Sequence, residues 1–291
     1  MIDMIPIRSL ALATVVASTA GLLAVPAQAV QRPAPVLVAV RAAHQPGFDR
    51  LVFEFRGRVP AQREIRYVPR LVADPSGRAV AVVGDALLQI RFARADGHDA
   101  RGDGTYGPAR RTYALPGVIQ VVNTGDFEAV LTFGVGLARR VPVHVHTLTS
   151  PSRVVVDLAT PYRTVPVRDY FLDTHAFRAT GVWRPVKPPE TAYGALQRLF
   201  AGPTQAERAQ GLRFVASGAT GFAKVTVKKQ VARVYLTGNV ASAGSAFTVA
   251  DEIRPTLKHL PGVRWVKIYD ATGATEHPAG PADSIPESLE P

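Results

Sequence analysis

The chain has 291 residues, 47% of them apolar and 20% charged, and its 34 basic and 23 acidic side chains give a net charge of +11. That length accommodates two folding units of roughly 100–150 residues, and the composition excludes a disordered chain or a polytopic membrane protein. The absence of cysteine excludes disulfides, thiolate nucleophiles, iron–sulfur centres and cysteine-ligated zinc.

Residues 10–25 carry no charge, follow Arg8, and are closed by Pro26-Ala27-Gln28-Ala29. This small-x-small pattern predicts a secretory signal peptide over residues 1–29, cut after Ala29 and read at Ala27 and Ala29. With Thr14, Ser18, Thr19 and Gly21 inside it, the run is short for a span of about 20 apolar residues, so no integral membrane span is expected after cleavage. Asp3 interrupts the basic start, and translation from Met4 would delete it. Export argues against nucleic acid as a partner. Cleavage removes one Arg and one Asp and leaves the charge at +11, which directs attention to wall polymers, acidic glycans and anionic lipid outside the cell.

From residue 36 to 158 apolar residues mostly alternate. In Phe48-Asp49-Arg50-Leu51-Val52-Phe53-Glu54-Phe55-Arg56, Leu51, Phe53 and Phe55 share one face, the pattern of a half-buried strand. Similar strands are predicted over 65–71, 79–83, 87–92, 118–122, 129–135, 141–148 and 153–158. Turn signals such as Asp74-Pro75-Ser76-Gly77 and Asn123-Thr124-Gly125-Asp126 separate them. Short strands at this spacing predict an all-β antiparallel sandwich over residues 30–162.

Beyond that point the composition changes. All six Lys lie between Lys187 and Lys267, whereas residues 30–164 use 18 Arg and no Lys. A helix is predicted over 191–201, following Pro188-Pro189, with Leu196, Leu199 and Phe200 on its apolar side and Gly202 as its stop. Thr204-Gln205-Ala206-Glu207 has the spacing of a capping box, so a short second helix should end near Gly211. Phe247, Val249, Ile253, Leu257 and Leu260 form the stripe of a third helix, bent at Pro255 and ended by Pro261-Gly262. With strands over 168–172, 223–227, 232–236 and 263–269, residues 163–277 read as an α+β domain with helices on a small sheet. The Pro-rich tail 278–291 is expected on the surface.

Motifs for chemistry are sparse. Gly102-Asp103-Gly104-Thr105-Tyr106-Gly107 matches G-x-G-x-x-G, but Pro108 and Arg110-Arg111 follow where a dinucleotide site needs a helix N-terminus, so a glycine-rich surface loop is predicted. Asp96, Asp99 and Asp103 near His98 lack the alternation of a calcium loop. His144 and His146, two apart on a strand, share a face and supply at most half of a tetrahedral metal shell. They are the weak candidates for a metal; no cofactor is expected. No G-x-S-x-G, S-x-x-K or H-E-x-x-H occurs, and no catalytic residue is assigned. Tyr106, Arg110, Arg111 and Tyr113 combine aromatic rings with guanidinium forks suited to carboxylates and phosphates, and are expected to form an exposed binding surface. Arg139-Arg140 and Lys228-Lys229 add local charge.

Several blocks in order, Gly47-Phe48-Asp49-Arg50-Leu51-Val52-Phe53-Glu54-Phe55, Gly84-Asp85-Ala86-Leu87-Leu88, Gly125-Asp126-Phe127-Glu128 and Ser150-Pro151-Ser152-Arg153-Val154-Val155-Val156-Asp157, make residues 38–160 resemble the AMIN-like domain of actinobacterial envelope proteins. Residues 165–277 resemble the GerMN domain of spore-germination and cell-envelope proteins through Ala195-Leu196-Gln197-Arg198-Leu199-Phe200-Ala201-Gly202-Pro203-Thr204, Val234-Tyr235-Leu236 and Thr256-Leu257-Lys258-His259-Leu260-Pro261-Gly262-Val263. The first resemblance implies peptidoglycan binding and targeting to the wall; the second implies a non-catalytic interaction module. Together they imply a secreted, non-enzymatic envelope protein that binds peptidoglycan or an anionic wall polymer through the β domain and an envelope protein partner through the second. The alternatives are a metal-assisted wall-modifying hydrolase using His144 and His146, and an envelope assembly scaffold without glycan affinity.

Overall fold

A computed structural model describes Met1 and residues 33–291. The expected signal peptide, its cleavage residues Ala27 and Ala29, and the Met4 start lie outside the described residues. Within Ala34–Pro291, one unit by its contacts, two separate hydrophobic cores form. The secondary structure is mostly β.

The first core draws its side chains from two antiparallel sheets. One has the order β1-β2-β9-β8, from β1 (Val36–Gln45), β2 (Phe48–Arg56), β8 (Val143–Thr149) and β9 (Ser152–Ala159). The other has the order β3-β4-β7-β6-β5, from β3 (Gln62–Val68), β4 (Ala86–Ala93), β5 (Arg110–Thr112), β6 (Val118–Phe127) and β7 (Val130–Leu137). The alternation read from the sequence sets the register. Leu51, Phe53 and Phe55 of β2 are buried, while Val52 and Glu54 between them are not. The ring of Phe53 meets those of Phe92 and Phe133 on the other sheet, each at 5.1 Å between centroids, so aromatic contact joins the two sheets.

Residues 79–83 are not a strand. Segment 71–83 lies across the face of β7, where Val80 N–H donates to Leu71 O at 3.0 Å and Val83 N–H to the Gln120 side chain at 3.0 Å. Gly134 and Gly136 of β7 make room for it: a Cβ at Gly136 would sit 2.0 Å from Val83 O, and one at Gly134 2.4 Å from a Leu71 methyl. Alternating apolar residues here mark a covering segment instead of a sheet member.

The second core is built from two small sheets and two helices. β10 (Val165–Asp173) pairs with β11 (Arg178–Val186) and with the two-residue β12 (Leu212–Arg213). β13 (Ala219–Lys228) pairs antiparallel with β14 (Val231–Gly238), which pairs in parallel with β15 (Trp265–Tyr269). Helices α1 (Thr191–Ala201), α2 (Gln205–Ala209) and α3 (Val249–Lys258) appear where the periodicity placed them. Leu196 and Leu199 of α1 and Ile253 and Leu257 of α3 join Phe171, Val234 and Ile268 in this core. The capping box at α2 is present, with Thr204 N–H donating to Glu207 at 2.7 Å. The α+β expectation gains a second sheet, because β11, which contains Gly181 and Pro185, and the two-residue β12 show no clean alternation in the sequence.

The tail departs from the surface position expected of it. Ile285 and Leu289 are buried in the second core, and Ser284 runs parallel to β15 with Ile268 N–H donating to Ser284 O at 2.9 Å. Two apolar side chains outweigh the polar composition around them. Among the described residues no helix is long and apolar enough to cross a membrane.

Candidate functional site

The four residues expected to form an exposed surface are placed otherwise. Arg111 is 6% exposed, and its guanidinium donates to the carbonyls of Pro108, at 2.5 Å, and Tyr106. Tyr106 and Tyr113 pack on the first core. Burial, and for Tyr106 also Asp126, pushes both phenols up to about 12. Arg110 donates to Ala81 O at 2.8 Å and to Gln120 at 3.1 Å. These donors hold the loop and β5 together, so the guanidinium forks do the work of missing ladder bonds. The loop 102–107 leads into β5 and not into a helix, as expected.

His144 and His146 do share a face of β8, with ring centroids 5.6 Å apart. The carboxylate beside them, Asp157 of β9, is already held two-pronged by Arg50 at 2.7 and 2.8 Å, and His146 stands 3.9 Å from it. Among the described residues no group of three His, Asp or Glu is disposed to hold a metal ion.

A cleft lies instead where the first core meets α1. Asp85, between the 71–83 segment and β4, accepts from the Tyr193 hydroxyl at 2.6 Å and from Gln197 Nε2 at 2.8 Å. Burial, then this bond to Asp85, lifts the Tyr193 phenol to about 12. One cavity of about 360 Å³ opens beside this bridge, lined by Arg139, Tyr162, Lys187, Glu190 and Arg198 as well as Asp85. A second, of about 510 Å³, shares Asp85, Tyr193 and Gln197 and is lined further by Arg110, Gln120 and Phe200.

Two lining residues of the first cavity, Tyr162 and Arg198, hold the turn that precedes β6. Asp49 of β2 is buried and accepts from Gly117 N–H at 2.6 Å, Val118 N–H at 2.8 Å and His44 Nδ1 at 2.8 Å. The same turn is gripped from the other side, where Pro116 O accepts from Arg198 at 2.9 Å and from the Tyr162 hydroxyl at 3.3 Å. Arg198 is 3% exposed, and its Nε and NH1 have no protein partner. Burial pulls its pKa down to about 10, against the opposing pull of Asp169. Arg139 lies over the Tyr162 ring at 5.7 Å. Arg139 and Lys187 thus stand with the carboxylates of Asp85 and Glu190 in the lining of one small polar cavity, an arrangement that can hold a ligand bearing both anionic and hydrogen-donating groups.

Within the first two sheets, Gly47-Phe48-Asp49-Arg50 supplies the buried carboxylate that pins the Pro116–Val118 turn. Residues 35–160 match the family model of the AMIN-like domain. No curated protein and no solved structure matches the chain. The AMIN-like match covers both antiparallel sheets and ends at Thr160. An AMIN-like domain fits a cell-wall-related role, and Asp85 and Arg139 place it on one wall of the cleft.

The cleft is not legible in the sequence because its members come from distant positions. Asp85 and Gln197 lie in separate motifs, and nothing in their spacing says they meet. The detectable signal was a buried-pattern helix carrying Gln197 and Arg198 among Leu196 and Leu199: polar side chains on an apolar face need partners.

Proposed function

We propose that the chain is a secreted, non-catalytic cell-envelope protein that binds peptidoglycan or an anionic wall polymer at the cleft between its AMIN-like domain and α1. The AMIN-like match over residues 35–160 carries this reading. The mixed donors and acceptors of the cleft support it, since peptidoglycan stems bear both carboxylates and amines. In this reading the two sheets around Phe53 are a sandwich, the two cores are two domains, and the second domain is GerMN-like. Retention on purified cell-wall sacculi, falling as salt rises, tests it.

The second domain is assigned a protein partner. Trp183 is 53% exposed on the outer face of β11, with Arg168 at 4.7 Å over its ring and His259 at 6.0 Å. Trp and Arg are the residue types that dominate interface energies, and here an exposed Trp is in contact with a partly exposed Arg. The hydrolase alternative draws less support, since Asp157 beside His144 and His146 is engaged by Arg50.

A further inference from the structure

The lysines confined to the second half of the sequence have a structural destination. In the β13–β14 register Lys224 faces Tyr235, Thr226 faces Arg233 and Lys228 faces Val231. In the β14–β15 register Arg233 faces Lys267 and Tyr235 faces Tyr269. Register partners point to the same side of a sheet, so one face of this sheet carries cations on all three strands. The opposite face, with Ala232, Val234, Val266 and Ile268, is the second core.

On the cationic side lies a groove of about 720 Å³, lined by Lys224, Lys228, Lys229, Arg233 and Tyr235 and edged by Gly280 and Pro281. No acidic residue lines it, and none of these four cations makes an ion pair among the described residues. Like charges held together without counter-charge repel, and an anion relieves that repulsion.

The groove is also built. Tyr235 and Tyr269 stack at 4.5 Å with 10° between their planes, and Lys224 Nζ sits over the Tyr235 ring at 4.5 Å. This cation–π seat limits where the ammonium can go. Beneath, Lys267 is fully buried and donates to the carbonyls of His277 and of Ala279, the latter at 3.1 Å. Those bonds fix the segment that continues into Gly280 and Pro281, so the groove edge is tied to the sheet.

We propose that this groove is a binding site for a linear polymer carrying phosphodiester groups, laid along β13 and β14. Alternate residues of a strand are about 6–7 Å apart, so Lys224, Arg233 and Lys228 present cations in steps along an extended chain. A single small anion would leave most of this charge unanswered. The exposed lysines offer point charges suited to phosphate, and the Arg233 guanidinium adds a forked donor. The proposal depends on the wall reading for the place where such a polymer is met, and not for the binding itself.

The test uses the chain from residue 30, which keeps the whole unit Ala34–Pro291. Binding is titrated with polyglycerol phosphate and with inorganic polyphosphate, against polyglutamate and anionic lipid vesicles as comparators, with no sacculi present. Two variants are compared, Lys224→Gln/Lys228→Gln in the groove and Arg56→Gln/Arg58→Gln on exposed positions of the AMIN-like domain, each checked for an unchanged thermal midpoint. The expected result is binding of both phosphate polymers, about tenfold or more weaker and less salt-dependent in the groove variant, with the Arg56/Arg58 variant near wild type. Equal loss in the two variants would assign the effect to net charge and overturn the site. Polyglutamate or vesicles binding as tightly as the phosphate polymers would overturn the ligand class. Sacculus retention through the cleft can fail or succeed separately from either outcome.

Discussion

The Tyr193 hydroxyl of α1 donates to Asp85 of the AMIN-like domain at 2.6 Å, and Gln197, one turn further along, donates to the same Asp85 oxygen at 2.8 Å. A single carboxylate therefore ties the helix to the first core. Further bonds back this tie: Ala201 O accepts from Gln120 at 2.8 Å and from Thr112 at 2.7 Å. The two cores should consequently unfold in one transition. Asp85→Ala, which strands the buried Gln197 amide, is expected to cost about 1–3 kcal/mol, and Tyr193→Phe about 1 kcal/mol. Denaturant unfolding followed by intrinsic fluorescence checks this; two resolved transitions in the wild-type chain would contradict it.

Arg184 and Glu207 form the most buried ion pair among the described residues. The Arg184 side chain is 1% exposed, and the bonds run NH1 to Oε1 at 2.8 Å and NH2 to Oε2 at 2.6 Å. Burial works to raise the Glu207 pKa, but Arg184 and the Thr204 amide outweigh it and hold the carboxyl below its ordinary value. Glu207→Ala leaves a buried guanidinium without its counter-charge and uncaps α2. The expected loss is about 3–5 kcal/mol, read as a fall in denaturant midpoint. Arg184→Met/Glu207→Gln, which removes both charges, should lose less.

Helix α1 shows how far the sequence was legible. Pro188-Pro189 before it and Gly202 after it marked its ends, and its bounds Thr191–Ala201 coincide with the expected 191–201. The Thr204 to Glu207 spacing likewise gave α2. These are local signals, complete within one turn of chain. What stayed hidden was long-range. Arg111 and Arg50 look alike in sequence, yet Arg111 is buried on carbonyls and Arg50 answers Asp157, 107 residues away. The candidate cleft has the same cause, since Asp85 and Gln197 are separated by 112 positions.

Two buried carboxyls give the fold a pH dependence. Burial raises Asp169 to about 8, against the opposing fields of Arg184 and Arg198, and raises Glu252 to about 9 although it accepts from Leu172 and Val215 N–H. A carboxyl whose folded pKa lies above its unfolded value destabilises the fold increasingly as pH climbs between the two. Stability should therefore fall from about pH 4 to about pH 9. Asp169→Asn should flatten part of that slope. Thermal midpoints across this range check it, and a midpoint that rises steadily toward pH 9 would contradict it.

Gly136 is the closest approach between β7 and the segment that covers it. An added Cβ would stand 2.0 Å from Val83 O, which is backbone and has little room to yield. Gly136→Ala is expected to cost about 1–3 kcal/mol by overpacking. Because Gly84-Asp85 follows Val83, the same change should disturb the cleft, and loss of sacculus retention with a lowered midpoint would report both.

Sacculus binding tests the central claim most directly. Arg139, in the segment after β7, and Lys187, between β11 and α1, both line the cleft. The chain from residue 30 should be retained on purified sacculi at low ionic strength and released as salt rises, and Arg139→Gln/Lys187→Gln should be retained markedly less at an unchanged thermal midpoint. Wild-type protein that washes off sacculi even at low ionic strength would contradict the account.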